Sequence, residues 1–224
     1  ALALQQQGLP VTPDTVALYL SQLPAGVLGQ LFGDLVGLLR GMCLRQGKEL
    51  NLASLADRLA DALPDAGNLT AETLRKLIGD LGVDLEGRLA GWLLHGQGNL
   101  PDEARDTLRG SLMRLLAQLQ ALDITSAQGQ TLLARIQETL QTLDTMQAAN
   151  LPTENREALI LQLPFTIDGQ PTTADVTLYY PKRGDTRVDP DNLRFSLAID
   201  LSGLGPVRFD LTAVNKRASL RIYA

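Results

Sequence analysis

Apolar and polar residues alternate along the last third of the chain. From Leu193 to Leu201 every second residue is apolar, and the alternation returns from Val207 to Ala213 and from Ala218 to Ile222. Because successive side chains of a β-strand point to opposite faces of a sheet, this period of two predicts strands that bury one face. A run that breaks the alternation, Leu201-Ser202-Gly203-Leu204-Gly205-Pro206-Val207, separates the first strand from the second.

Further strands are predicted upstream. Apolar residues alternate from Leu159 to Leu163 and again from Val176 to Tyr180, and Asp168-Gly169 between them is typical of a two-residue hairpin turn. The change of period at Asn150-Leu151-Pro152 marks the expected domain boundary. Residues 151–224 are therefore predicted to form a mostly antiparallel sheet of about five strands with one covered face.

Residues 12–150 carry apolar side chains at helical spacing instead, which predicts a compact bundle of about six helices. Several helix starts combine a capping hydroxyl or a first-turn proline with an acidic residue: Thr12-Pro13-Asp14, Thr70-Ala71-Glu72 and Pro101-Asp102-Glu103. The helix that starts at Thr70 is expected to end at Gly82, and the last helix is expected from Ser126 to Ala149. The Gln-rich residues 1–11 are expected to be a flexible N-terminal segment. The predicted class is α+β, with the helical bundle ahead of the sheet.

The apolar stretch from Val27 to Leu44 contains glycines at a strict four-residue spacing: Gly29, Gly33, Gly37 and Gly41. On a helix this spacing draws a line of glycines along one side, which lets a neighbouring backbone approach closely. We expect a tightly crossed pair of helices there. The stretch approaches the length of a membrane span, but it contains Asp34 and Arg40. Because charges at mid-bilayer depth are costly, we expect no membrane span.

The composition narrows the classes of function. The chain of 224 residues has a net charge of -5, and its Lys and Arg residues are spread thinly, which argues against nucleic-acid binding. The single cysteine, Cys43, and the single histidine, His95, can form neither a disulfide nor a Cys/His zinc site. His95 lies in a Gly-rich helix end, where a histidine is expected to compensate the helix dipole, and no pairing with a nucleophile is recognisable. We therefore expect a protein that is not an enzyme and needs no cofactor or metal.

The run from Leu201 to Val207 has two interpretations, and both stay open. In the structural one, Gly203 and Gly205 supply the positive φ of a tight connection, and Pro206 removes a backbone donor where pairing has not yet resumed. In the functional one, Leu204 lies at the tip of the turn as an exposed apolar anchor for a partner. The candidate partner-binding residues are Leu201, Leu204, Gly205, Pro206 and Val207.

Several short motifs follow one another along the chain. Leu204-Gly205-Pro206-Val207 forms a Leu-Gly turn between alternating strands, and Leu161-Gln162-Leu163-Pro164-Phe165 precedes it as a Leu-Pro-Phe entry to the sheet. Two helical stretches lie further upstream, Gly82 to Leu89 and Leu108 to Leu116. In this order the motifs resemble the C-terminal core of the flagellar hook-length control protein family.

The resemblance implies a non-enzymatic control protein of the flagellar type III export apparatus. In that family the C-terminal module is thought to bind the cytoplasmic domain of the export-gate switch protein, which ends hook export and changes the substrate specificity. Hook or hook-cap proteins are further partners that the family allows. The implied location is the bacterial cytoplasm, or beyond it after export through the flagellar secretion apparatus.

The chain also departs from the family. Asp200-Leu201-Ser202-Gly203 stands where the family's turn is usually preceded by a proline and acidic residues. The family core continues into a helix after its last strand, so residues 151–224 are expected to be a C-terminally truncated switch core. The rival interpretation is a structural protein-interaction scaffold unrelated to secretion control. Flagellar genes beside this one would favour the switch.

Overall fold

The computed structural model describes residues 26–43, 52–82, 107–121, 126–150, 158–179 and 192–224. These residues form the helices α1 (Leu28–Cys43), α2 (Leu52–Asp61), α3 (Ala71–Leu81), α4 (Leu108–Ala121) and α5 (Ala127–Ala149), with a short 3-10 turn at Ala66–Asn68. They also form the strands β1 (Ala158–Ile167), β2 (Gln170–Tyr179), β3 (Asn192–Leu201), β4 (Gly205–Val214) and β5 (Arg217–Tyr223). The predicted α+β class is confirmed. Within these ranges there are five α-helices rather than about six, and the helix predicted to start at Thr12 lies outside them, as do residues 1–11.

The described residues fall into two compact units. One is helical: it contains α1 to α4, α5 as far as Asp144, and the tip of the β1–β2 hairpin from Pro164 to Pro171. Within this unit the backbone N–H of Thr166 donates a hydrogen bond to the carbonyl oxygen of Pro64, at 2.9 Å. The other unit contains the end of α5, the rest of β1 and β2, and all of β3, β4 and β5. The domain boundary predicted at Leu151-Pro152 lies outside the described ranges.

The helical unit buries the apolar residues that recur three or four positions apart on each helix, because this spacing puts them on one face. The largest side chains that are fully buried in this unit are Phe32, Leu28, Leu35, Leu39, Leu59, Leu81, Leu108, Leu112, Leu119, Leu132, Ile136 and Leu143. At the rim of this core, a guanidinium nitrogen of Arg135 on α5 lies 3.4 Å from a carboxylate oxygen of Asp34 on α1. The carboxylate of Asp34 in the apolar stretch of α1 is thus paired at the surface, and Arg40 of the same stretch lies 3.7 Å from Asp57 on α2. None of the described helices is both long enough and apolar enough to cross a membrane.

The helix ends follow the local capping chemistry. Thr70 caps α3, since its side-chain oxygen accepts a hydrogen bond from the backbone N–H of Thr73 at 3.1 Å. Gly82 ends the same helix with a φ of 70°, so both predicted limits of α3 are confirmed. The helix start expected at Pro101 lies outside the described ranges, but the expectation that this helix runs unbroken into Leu108 is wrong. Thr107 is not helical, and its hydroxyl accepts a hydrogen bond from the N–H of Gly110 at 3.1 Å, which makes Leu108 the first residue of α4.

The glycine line of α1 behaves differently from the expectation. A Cβ atom on Gly33 would lie 2.5 Å from Cγ of Pro171, so a close approach does occur at this position. The neighbour is the proline ring at the start of β2, however, and not the backbone of a second helix. A Cβ atom on Gly37 or Gly41 would meet no atom within 4 Å. At Gly33, Gly37 and Gly41 the predicted close approach of a second helix is therefore wrong, because the one close neighbour of these three glycines is Pro171.

The strands form an antiparallel sheet in the order β1-β2-β3-β4-β5, as the meander prediction requires. The predicted hairpin at Asp168-Gly169 is confirmed, since both residues have positive φ, 51° and 74°. Asn215 and Lys216 form the β4–β5 turn with φ values of 49° and 65°. Each strand thus pairs with its neighbour in sequence, which places β5 at one edge of the sheet.

The number of covered faces changes from one edge of the sheet to the other, whereas the sequence predicts one covered face throughout. On β1 the successive residues Leu161 and Gln162 are both buried, and on β2 so are Thr173 and Ala174. Successive strand residues point to opposite faces, so both faces are covered there. On β5, by contrast, every residue from Arg217 to Tyr223 is exposed. The prediction of one covered face is therefore wrong for β1 and β2 and does not describe β5 either.

Candidate partner-binding surface

The connection between β3 and β4 is a tight turn that glycine makes possible. The N–H of Leu204 donates a hydrogen bond to the carbonyl oxygen of Leu201 at 3.1 Å, which closes a four-residue turn. Gly203 has a φ of 102° and Gly205 a φ of 75°, values that cost other residues strain. Leu201 and Gly205 then lie directly opposite each other as the first pair of the ladder. The structural interpretation of this run is confirmed for the glycines, which supply the positive φ. The expectation that pairing has not yet resumed at Pro206 is wrong, since Pro206 already lies opposite Asp200 in the ladder.

The predicted partner-binding residues divide into exposed and buried ones. The side chain of Leu204 is 72% exposed at the tip of the turn, and Pro206 beside it is exposed as well. Val207 is only 5% exposed and lies opposite Ile199 in the sheet, on the apolar face. Leu201 is half-buried. The turn therefore presents Leu204 and Pro206 to solvent, while Val207 anchors the base of the hairpin.

A row of apolar side chains crosses the sheet and becomes exposed at its edge. The register places Val176, Leu197, Phe209 and Ile222 side by side on one face, and next to them Leu178, Phe195, Leu211 and Leu220. Val176 on β2 is buried, whereas Leu220 is 56% and Ile222 60% exposed on β5. The apolar face is thus uncovered where the sheet ends. We call β5 and its outward backbone groups the β5 edge.

The opposite face of β3, β4 and β5 collects arginines. The register puts them on one side of the sheet: Arg194, Arg208, Arg217 and Arg221. Residues 192–224 contain five Lys or Arg and two Asp, hence a net charge of +3 in a chain of net charge -5. The expectation that cationic residues are spread thinly is wrong for these strands. The signal was available in the sequence, because period-two alternation assigns all four arginines to the polar side.

Two of the four arginines are engaged within the sheet. Nε of Arg208 donates to Oδ1 of Asp210 at 2.8 Å, and Nη2 donates to Oδ2 at 3.1 Å. Ser196, directly opposite on β3, donates its hydroxyl to the same carboxylate at 2.8 Å. The hydrogen bonds from Arg208 and then from Ser196 lower the pKa of Asp210 below its usual range. The guanidinium of Arg194 lies 4.8 Å from the centre of the Tyr179 ring, which is a cation–π distance.

Another carboxyl that sequence reasoning missed belongs to Asp175 on β2. Burial raises its pKa, and hydrogen bonds from the backbone of Gly26 and from the side chain of Gln162 oppose the rise. Gln162 is itself buried. The group gives β2 a pH-sensitive position, which no local sequence pattern announces because its partners lie in distant parts of the chain.

Other features offer little chemistry. A depression of about 610 Å³ lies beside the β4–β5 turn, lined by Thr212, Val214, Asn215, Arg217, Ala218 and Ser219. Across the ranges that the structure describes, no group of three or more His, Cys, Asp or Glu residues could hold a metal ion. His95 lies outside these ranges, and the side chain of Cys43 is not among those described.

Comparison of the chain with protein-family models, with curated proteins and with solved structures finds no match.

Proposed function

We propose that this chain is a non-enzymatic control protein of the flagellar type III export apparatus, which ends hook export by binding the cytoplasmic domain of the export-gate switch protein. The order of the sequence motifs along the chain supports the assignment to this apparatus. One structural observation supports partner binding: Leu204 is 72% exposed on a turn that its own N–H closes with a hydrogen bond to the carbonyl oxygen of Leu201. An exposed apolar side chain contributes binding energy when a partner buries it in a well-packed pocket.

Binding at this turn would combine a gain from apolar burial with a small loss of conformational entropy. Complete burial of a leucine side chain is worth about 1.5–3 kcal/mol, which corresponds to about tenfold to a hundredfold in affinity. The hydrogen bond from Leu204 to Leu201 closes the turn, and the buried Val207 packs at the base of the hairpin. Because the turn is already ordered, it loses little conformational entropy on binding. Leu204 and Pro206 would thus enter an apolar pocket of the partner while the strands stay unchanged.

The proposed setting follows from the same assignment. The protein would act in the bacterial cytoplasm at the export gate, or be exported through the apparatus, with hook or hook-cap proteins as further partners. Binding there would change the substrate specificity of export without any covalent step.

The direct test is a binding measurement between the purified chain and the cytoplasmic domain of the export-gate switch protein. Leu204→Asp places a charge in the proposed pocket and is expected to weaken binding at least about tenfold. Met113→Asp is the matched control, because Met113 is also an exposed apolar residue, 48% accessible, but lies on α4 in the helical unit. Circular dichroism checks that both variants keep the fold. Absence of binding by the unchanged chain, or equal binding by Leu204→Asp, would overturn the proposal.

A structural interaction scaffold unrelated to secretion control is the second candidate. The exposed Leu220 and Ile222 on β5 favour it, since an uncovered apolar strand calls for a partner whatever the pathway. A chain that binds no component of the export gate but assembles with another protein of the same gene neighbourhood would support the scaffold.

A further inference from the structure

The β5 edge has the properties of a strand that accepts another strand. It is the last strand in the order β1-β2-β3-β4-β5, so one of its two sides pairs with β4 and the other pairs with no described strand. All of its residues are exposed. An uncovered edge with alternating apolar residues is a ready template for β-augmentation, in which an extended peptide continues the sheet.

The register identifies the backbone groups at this edge. Asn215 and Lys216 form a two-residue turn, and in such hairpins the flanking pair, here Val214 and Arg217, exchanges both backbone hydrogen bonds. Every second pair along the ladder does the same, which engages Arg217, Ser219, Arg221 and Tyr223 with β4. The N–H and C=O groups of the remaining residues therefore point away from β4: those of Ala218, Leu220 and Ile222.

The side chains of β5 then define what an incoming strand must carry. A residue directly opposite Leu220 or Ile222 lies on the same face of the sheet as these apolar side chains. The residues that alternate with it lie on the other face, beside Arg217 and Arg221. Since opposite charges across a strand pair stabilise it and like charges destabilise it, these alternate residues should be acidic.

The charges at the edge are available for such a partner. The guanidinium of Arg208 is already held by Asp210 at 2.8 Å, and that of Arg194 lies over Tyr179. Arg217 and Arg221 form no ion pair with any residue that the structure describes, although Arg221 lies opposite Asp210 in the ladder. The uncompensated positive charge of this face is thus concentrated on the outermost strand.

We propose that the β5 edge binds an extended segment of a partner protein in which apolar and acidic residues alternate, and adds this segment to the sheet as a sixth strand. The inference rests on the proposed function in that both assign partner binding to the C-terminal strands. It goes further by giving the chemistry of the bound segment: apolar side chains beside Leu220 and Ile222, and carboxylates beside Arg217 and Arg221.

A second copy of the chain fits this edge less well. If two β5 strands paired around Leu220, each Arg221 would lie opposite Ser219 of the other copy and diagonally beside its Arg221. A shift of the centre to Ser219 would place Arg217 directly opposite Arg221. In either register like charges gather on one face of the new ladder, which disfavours pairing. Nucleic acid fits less well too, because it leaves the apolar face of Leu220 and Ile222 uncovered.

The probe is a labelled synthetic peptide of about eight residues in which valine and glutamate alternate, titrated with the full chain in a fluorescence anisotropy measurement. We expect saturable binding that weakens as salt is added, because exposed charge pairs are screened. Two control peptides isolate the causes. One has lysine in place of glutamate, and the other has the same composition with all valines ahead of all glutamates. Each is expected to bind at least about tenfold more weakly.

Variants of the chain locate the site. The double variant Arg217→Glu and Arg221→Glu is expected to lose affinity for the glutamate peptide at least about tenfold and to gain affinity for the lysine peptide. The double variant Arg75→Glu and Lys76→Glu is the matched charge control, since both residues are exposed on α3 in the helical unit. Leu220→Pro removes one N–H that points outward and none that pairs with β4, so it should abolish binding while the sheet is kept.

Hydrogen exchange tests the geometry independently of any variant. In the free chain the amides of Ala218, Leu220 and Ile222 should exchange rapidly, and the peptide should protect all three. Protection confined to other residues, stronger binding of the lysine peptide, displacement of the peptide by RNA, or concentration-dependent dimers that exclude the peptide would each overturn the inference. The chain that carries Leu204→Asp should still bind the peptide. Failure at the export gate with retained peptide binding would therefore reject only the proposed function, and the reverse result would reject only this inference.

Discussion

Gly33 of α1 and Pro171 of β2 approach so closely that a Cβ atom on the glycine would lie 2.5 Å from Cγ of the proline. Real Cβ contacts are longer than this, so the absence of a side chain at Gly33 is what lets the hairpin tip pack in the helical unit. The contact joins residues that lie far apart in the chain. It therefore constrains the tertiary structure rather than the helix alone.

Substitution at this contact should destabilise the helical unit. In Gly33→Ala the added methyl group must displace the proline ring, and such overpacking costs about 1–3 kcal/mol, while the better helix propensity of alanine offsets about 0.5–1 kcal/mol. We expect the free energy of unfolding to fall by about 1 kcal/mol or more in urea denaturation. Gly37→Ala is the matched control: its Cβ meets nothing within 4 Å, so it should raise stability by about 0.5–1 kcal/mol. Equal effects of the two substitutions would contradict the role of Pro171.

Asn150, which directly follows α5, should contribute strongly to stability although it lies next to a predicted domain boundary. Its side chain is buried, accepts a hydrogen bond from the N–H of Ile160 at 2.8 Å and donates one to the carbonyl oxygen of Met146 at 2.9 Å. Asn150→Ala leaves these backbone groups without their partner, and we expect a loss of about 2–3 kcal/mol in urea denaturation. Thr131→Ala removes an exposed hydroxyl bonded to Ala127 on the same helix and should change stability by less than about 0.5 kcal/mol. Similar losses in the two variants would show that Asn150 is an ordinary helix-end residue.

Local chemistry explains which parts of this fold were predictable. The limits of α3 follow from Thr70 and Gly82, and the hairpins follow from Asp168-Gly169 and the period of two, because each signal acts within a few residues. Gly33 shows the opposite case. The four-residue glycine spacing indicated that a neighbour approaches α1 closely. Which residue approaches, Pro171, is determined only by the tertiary structure.

The same distinction holds for the candidate surface. The exposure of Leu204 was predictable because Gly203 and Gly205 flank it in a turn. The arginine face was predictable from the alternation of apolar and polar residues. Burial of both Leu161 and Gln162 was not, since a polar residue between apolar ones normally marks a solvent face. The edge position of β5 was not predictable from alternation either, because it depends on which strands pair in the tertiary structure.

The Asp210 carboxylate should make stability depend on pH in the acidic range. Its pKa is lowered by Arg208 and then by Ser196, so its stabilising effect is present above the ordinary value of 3.8 and is lost as the pH falls through the lower native value. The stability advantage of the unchanged chain over Asp210→Asn should therefore shrink as acid is added, when unfolding is measured in urea at a series of pH values. Ser196→Ala removes one of the hydrogen bonds that lower this pKa and should move the loss of stability to higher pH. A difference that stays constant down to strongly acidic pH would contradict the assignment.

The pH dependence of stability that Asp175 causes should have the opposite sign to that of Asp210. Burial raises its pKa above the ordinary value of 3.8, so the folded chain keeps this proton to a higher pH than the unfolded chain does. Stability contributed by the protonated carboxyl is complete below the ordinary value and is lost as the pH rises through the raised native value. Asp175→Asn keeps the shape without the buried charge, so it should be more stable than the unchanged chain at neutral pH, and this advantage should vanish in acid. Gln162→Ala removes a hydrogen bond that favours the charged form and should extend the titration to still higher pH. Carbon NMR of the Asp175 carboxyl measures the shift directly, and titration at or below the ordinary value would reject the effect of burial.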